Sequence, residues 1–127
     1  MTLSIIVPVY NENKNIIKTI NNLHKLKKNI KKIEIIFIDD FSTDDTLNIL
    51  NQSSKKKSYV KFFKNKKKGL GSAIEIGIKK SRYQFITIFM CDSSDSIMDL
   101  IKYYKIMSQN KYDAVLGSRF LKKSKIN

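Results

Sequence analysis

The sequence is poor in the residues that most often announce a site: its 127 residues hold one cysteine, one histidine, one proline, four glycines and no tryptophan. A lone Cys91 excludes an internal disulfide. With His24 as the sole histidine, no Cys and His cluster has the spacing of a zinc site. His24 lies among lysines on an amphipathic segment and reads as a surface side chain. Gly69 and Gly71 make only part of a dinucleotide fingerprint. Ile74 stands where a further glycine belongs, and the pair follows the third apolar run instead of the first, so it reads as a helix-entry turn. No apolar window approaches the length that spans a bilayer, and Met1-Thr2-Leu3-Ser4-Ile5 carries no basic segment before a long apolar run. The expectation is a cytoplasmic, reducing setting, with room for peripheral attachment at the inner face of the membrane. Acidic residues are scarce too: 11 against 25 Lys and Arg give a formal net charge of +14. That balance favours polyanions such as nucleic acid or an anionic lipid face. The lysine runs Lys55–Lys57 and Lys66–Lys68 lack the interleaved aromatics of a strand-binding groove. They read as solvated surface with no specific nucleic-acid partner.

What is present is a regular alternation. The chain is 42% hydrophobic and 10% aromatic, enough for one domain around one core. Leu3–Val9 and Ile33–Ile38 are nearly unbroken β-branched runs, each closed by polar residues, and read as strands buried on both faces. Tyr59–Phe63, Phe85–Met90 and Ala114–Leu116 read as three more. Between the first two, Ile16, Ile17, Ile20, Leu23 and Leu26 recur at helical spacing. Ser42 or Thr43 is placed to cap a second helix, with Asp44 and Asp45 at its positive end. Ala73–Lys80 and Ile97–Met107 read as a third and fourth helix. Strand and helix in alternation predict an α/β, Rossmann-like, mostly parallel sheet with helices on both faces. The tyrosine pair Tyr103-Tyr104 reads as helix packing, and Cys91 as a small core residue without a basic partner.

Ligands of open parallel sheets bind outside the carboxyl ends of the strands. Those ends present Tyr10 with Glu12, Asp39 with Asp40, Asp92 with Asp95, and Ser118 with Arg119. Strand ends lead into loops and loops are polar, so one such group proves little. Four together on one edge suit a sugar nucleotide. Asp40 and Glu12 accept from a base N–H or a ribose hydroxyl. A hard divalent ion at Asp92, helped by Ser94 or Asp95, bridges diphosphate oxygens, and Arg119 offers a planar fork to phosphate.

The same residues carry a family resemblance. Ile5-Ile6-Val7-Pro8-Val9-Tyr10-Asn11-Glu12 with Asn15-Ile16 resembles the opening motif of family 2 glycosyltransferases, and Ile38-Asp39-Asp40-Phe41-Ser42-Thr43-Asp44-Asp45-Thr46 resembles their nucleoside-contacting motif. Gly69-Leu70-Gly71-Ser72-Ala73-Ile74 with Gly77, Met90-Cys91-Asp92 and Gly117-Ser118-Arg119-Phe120 follow in the family's order and look most like the polyprenyl-phosphate, dolichol-phosphate-mannosyltransferase-like subgroup. The resemblance implies a GT-A fold, a GDP- or UDP-sugar donor, a divalent metal (Mg2+ or Mn2+) and inverting transfer to a lipid phosphate at the membrane surface. By position, Pro8, Tyr10, Glu12, Ile38 and Asp40 would line the nucleoside pocket, with Asp92, Ser94 and Asp95 at the metal and Asp92 and Arg119 as the catalytic pair. Two departures stand out: Met90 occupies the first acidic position of the usual metal motif, and residues 1–127 match only the donor-binding domain. The acceptor side is therefore expected from elsewhere, including a partner chain. Two rivals fit less well. A basic docking module leaves the acidic strand ends unexplained. A phosphoacceptor receiver domain needs its aspartates after the first and third strands, where this chain has them after the second and fourth.

Overall fold

In the computed structural model, residues 2–118 are described. The elements alternate as β1 (Thr2–Val9), α1 (Ile16–His24), a 3-10 turn (Lys25–Lys28), β2 (Lys32–Asp39), α2 (Thr46–Lys56), β3 (Val60–Lys64), α3 (Leu70–Lys80), β4 (Phe85–Ile88) and α4 (Ile97–Met107). The strands form one sheet in the order β3-β2-β1-β4, with every pairing parallel.

Given this order, the handedness of crossovers sets the face on which each helix lies. Two right-handed units step outward from β1 to β2 to β3 and lay α1 and α2 on one face. The next unit returns past β1 to β4, and the same handedness puts α3 on the other face. Burial confirms the sorting. Leu3, Ile5, Val7, Ile33, Ile35 and Phe37 pack with Ile16, Ile20, Leu23, Leu50, Leu100 and Tyr104 on the side of α1, α2 and α4. Ile6, Ile36 and Ile38 pack with Ala73 of α3 on the other. Both faces of β1 and β2 are therefore covered, which is why these strands are apolar without alternation.

Gly77 shows how close α3 comes. A methyl group there would collide with the side chain of Ile6 on β1. At the edge where strands begin, Glu34 is fully buried. Its carboxylate accepts from Ser4 Oγ (2.6 Å), the Arg82 backbone N–H (2.7 Å), Arg82 Nε (3.0 Å) and Lys61 Nζ (3.0 Å). Burial pushes this carboxyl up, but the bonds from Ser4, the Arg82 backbone, Lys61 and the Arg82 side chain together bring it below its ordinary value.

Two expectations are corrected. Ala114–Leu116 is irregular, and Leu116 is 90% exposed. Three apolar residues do not make a strand without a ladder partner, and among the described residues β4 ends the sheet. Ser42 and Thr43 do not cap α2, which starts at Thr46 after Asp45. Both hydroxyls are bonded to Asn11 on the loop after β1, and it is Asp44 that accepts the Thr46 N–H (2.9 Å).

Gly77→Ala is expected to lower stability by about 1–2 kcal/mol in thermal unfolding, because the overpacking cost exceeds the helix-propensity gain of about 1 kcal/mol. In an Ile6→Ala background the loss should shrink, and an equal loss would show that α3 does not rest on Ile6. Glu34 contributes stability above its ordinary value, about pH 4.3, and loses it as pH falls through its lowered folded value. Glu34→Gln should therefore cost about 1–3 kcal/mol near pH 7, and the gap from the unaltered chain should close as pH falls below the ordinary glutamate value and through the lowered folded one. A gap independent of pH would refute the charge-based account.

Candidate functional site

The reversal of strand order lies between β1 and β4, and the cleft opens there. Its opening can be traced to the chain's one proline. Ile6 C=O accepts from Phe89 N–H on the β4 side (2.9 Å), and Val9 C=O accepts from Asp40 N–H on the β2 side (2.8 Å). Pro8 shares the parity of Ile6, so its missing N–H falls on the side facing β4. The β1–β4 register ends at Ile6 with Ile88, while β1 and β2 stay paired through Val9 with Asp39. Beyond Ile6 the sheet parts.

The gap becomes a cleft of about 290 Å³. Pro8, Val9, Tyr10 and Glu12 line it from the end of β1, Asp40 from β2, Leu70 and Ala73 from α3, and Met90, Cys91 and Asp92 from the segment after β4. A smaller groove of about 90 Å³ between α1 and α2, touching Ile17 and Lys57, gathers no carboxylates.

Backbone geometry marks the same edge. Asn11, Phe41 and Ser93 follow β1, β2 and β4 and adopt φ of 50°, 64° and 66°. L residues hold this conformation only where other contacts enforce it. At Asn11 those contacts are visible: its N–H donates to Ser42 Oγ (2.9 Å) and its Oδ1 accepts from Thr43 N–H (2.8 Å). Glu12 N–H donates to Thr46 Oγ1 (3.0 Å), so the loops after β1 and β2 are tied together.

Of the residues expected at the site, Pro8, Tyr10, Glu12, Asp40 and Asp92 do meet in the cleft. Ile38 does not. It faces the same side of the sheet as its register partner Pro8, but there it is fully buried among Ile6, Ile36 and Ala73. Arg119 lies outside the described residues, and Ser118, which precedes it, is exposed. Glu12 is steadied by Asn15 Nδ2 (2.7 Å). Tyr10 is half exposed on the rim, with Lys68 Nζ 5.2 Å from its ring centroid. Asp39 is buried; its Oδ2 accepts from Ser42 N–H (3.2 Å).

The expected metal ligands are arranged unevenly. Asp92 Oδ1 accepts from Ser94 N–H (3.0 Å), while Asp95 Oδ2 accepts from Met90 N–H (2.7 Å) and closes the turn. Among the described residues no three His, Cys, Asp or Glu side chains converge as a metal cage. Asp92 could touch a hard divalent ion brought in on the phosphate oxygens of a ligand, since Mg2+ sites often use only one or two protein carboxylates.

Several residues of the site gave little warning. Leu70 and Ala73 read as the start of a helix and as part of a family motif, without an expected place in the pocket. Asn65 gave no signal, although it bonds to Asp40 (2.9 Å). Cys91 was expected in the core, and it is buried against Thr19 Oγ1 (3.3 Å) while forming part of the cleft floor. Burial chiefly, with the nearby Glu12 and Asp92 charges against the Thr19 bond, pushes its thiol up to about 11.

The comparison with known proteins closes the question of kinship. The family model described as Glycosyl transferase family 2 matches residues 4–127. The chain belongs to glycosyl transferase family 2. A poly-beta-1,6-N-acetyl-D-glucosamine synthase of Staphylococcus aureus is 28% identical over 116 residues, covering 91% of this chain and 27% of the synthase. Among solved structures, S. aureus TarS 1-349 in complex with UDP-GlcNAc superposes with a TM-score of 0.69 at 24% identity, over 86% of this chain and 32% of TarS. The mannosyltransferase PcManGT of Pyrobaculum calidifontis, in complex with GDP-Man and Mn2+, gives 0.67 at 20% identity, over 81% and 31%. These likenesses establish the GT-A type of fold, and the chain spans half or less of the length of the relatives it matches.

The raised thiol makes Cys91 slow to react. At pH 7 its thiolate fraction should be about a hundredfold or more below that of an ordinary cysteine, whose thiol ionises near 8.5. A disulfide reagent such as Ellman's should label the folded chain far more slowly than the guanidinium-unfolded chain, and equal rates would show that the segment after β4 is open.

Proposed function

We propose that this chain is the donor-binding part of a glycosyltransferase that takes a GDP- or UDP-sugar and passes the sugar, with inversion, to a polyprenyl phosphate at the cytoplasmic face of a membrane. The observation that carries the donor reading is the cleft itself. Carboxylates of Glu12 and Asp40 stand on its β1 and β2 side and that of Asp92 on its β4 side, at the switch point of a parallel sheet. Membership of the family, and the nucleotide sugars named with TarS and PcManGT, support it. The lipid-phosphate acceptor rests on the motif resemblance alone.

Each residue then has a task. Asp40 and Glu12 accept hydrogen bonds from the base or ribose, and Tyr10 offers its ring at the rim. Asp92 would hold a divalent ion, which would supply positive charge to neutralise the negative charge developing on the leaving group. Lys68, beside Tyr10, and Arg119 add positive charge for the phosphates. A phosphate acceptor is already anionic at neutral pH and needs no strong base, so Asp40, Glu12 and Asp92 act by orienting and binding. The acceptor side would come from further polypeptide or from a partner chain.

Calorimetric titration with UDP and GDP, with and without Mg2+ or Mn2+ and with duplex DNA at matched salt as control, tests the reading. One nucleotide is expected to bind better with metal. Asp40→Ala should weaken it roughly tenfold or more, the worth of a hydrogen bond to a charged group. Salt-sensitive DNA binding without nucleotide binding would identify a basic docking module instead.

A further inference from the structure

Asp40 does not stand by itself at the cleft. Gly69, at the entry to α3 with φ of 134°, donates its N–H to both carboxylate oxygens, at 3.0 Å to Oδ1 and 3.2 Å to Oδ2. Asn65 Nδ2 donates to Oδ1 at 2.9 Å. Asn65 follows directly on β3, is only 6% exposed, and its backbone N–H donates to Asp39 C=O (2.8 Å), prolonging the β2–β3 ladder by one step.

The Asn65 amide is fully engaged. Its second donor reaches Gly69 C=O (3.2 Å), and its oxygen accepts from Lys66 N–H (2.9 Å) and Ser72 Oγ (2.8 Å). Two donors and two lone pairs are all that this side chain has. It therefore fixes three things at once: the carboxylate of Asp40, the turn at Gly69 that also grips Asp40, and the first turn of α3, whose Leu70 and Ala73 line the cleft. Oδ1 of Asp40 takes two of these bonds, while Oδ2 takes only the longer one from Gly69. The asymmetry leaves Oδ2 the oxygen with acceptor capacity to spare.

We propose that Asn65 is a positioning residue for the nucleoside pocket: it binds Oδ1 of Asp40 and the Gly69 turn so that Oδ2 is held, already oriented, for a donor N–H or O–H of the nucleotide. The proposal rests on the reading of Asp40 as a nucleoside-binding residue. A carboxylate fixed before the ligand arrives loses less freedom on binding, which raises affinity without a new contact to ligand.

The test is a double-mutant cycle read by calorimetry with UDP and GDP as probes. Asn65→Ala is expected to weaken the bound nucleotide about tenfold when Asp40 is present and to have little further effect in an Asp40→Ala background, because residues acting through one another are not additive. Asn65→Asp covers the case in which the alanine variant folds poorly. It keeps the volume and both acceptor bonds, but turns a carboxylate oxygen toward Asp40 in place of a donor, so it should weaken binding at least as much. Losses that add in the double variant, or full affinity in both Asn65 variants, would overturn the positioning role while leaving Asp40 in place. An Asp40→Ala chain that binds like the unaltered one would sink the reading of Asp40, and the role of Asn65 with it.

Discussion

The cleft depends on one strand. β1 is buried on both faces, paired to β2 along its whole length and to β4 only as far as Ile6. A strand so enclosed cannot shift register without moving every neighbour, so Tyr10 and Glu12 leave the sheet at a fixed place. Pro8 completes the arrangement. Its missing donor falls on the β4 side, where a ladder bond would otherwise close the gap. The break in the sheet and the start of the site are the same event.

The loops that follow the strands are rigid for a related reason. Three of them carry a non-glycine residue at positive φ, and the surroundings of Asn11 show what holds such a residue there: Ser42 and Thr43 reach across from the loop after β2. Asp44 is part of the same knot. Slight burial raises its carboxyl, but bonds from the Thr46 hydroxyl, the Thr46 N–H and the Asn13 N–H outweigh that and hold it below its ordinary range. The strain in the backbone is balanced by hydrogen bonds that also fix where the cleft carboxylates stand.

Charge is distributed by topology. The helices that connect strands, α1, α2 and α3, run back against them, so residues after strands gather on one edge and residues before strands on the other. Glu12, Asp40 and Asp92 collect on the cleft edge of a chain whose net charge is +14. At the opposite edge the buried Glu34 is matched by Lys61 and Arg82. Glu34 is bound by cations of its own chain, and Asp92 lines the cleft.

The sequence by itself determined the sheet and its cleft edge. Unbroken β-branched runs mark strands covered on both sides, and parallel pairing puts their carboxyl ends on one edge, so the positions of Tyr10, Glu12, Asp40 and Asp92 were legible from period and motif alone. What it could not determine were relations across the chain. Ile38 belongs to the nucleoside motif in sequence, but Ile6, Ile36 and Ala73 pack over it and bury it. Ser42 and Thr43 have the chemistry of caps, yet Asn11, more than thirty residues earlier, takes both hydroxyls. Ala114–Leu116 has strand composition and no described partner strand. Asn65 looks like any loop asparagine until the parallel pairing of β2 with β3 brings it beside Asp40. Burial pattern is a local property written in the order of residues; which hydrogen-bonding group meets which is decided only when distant segments are folded together.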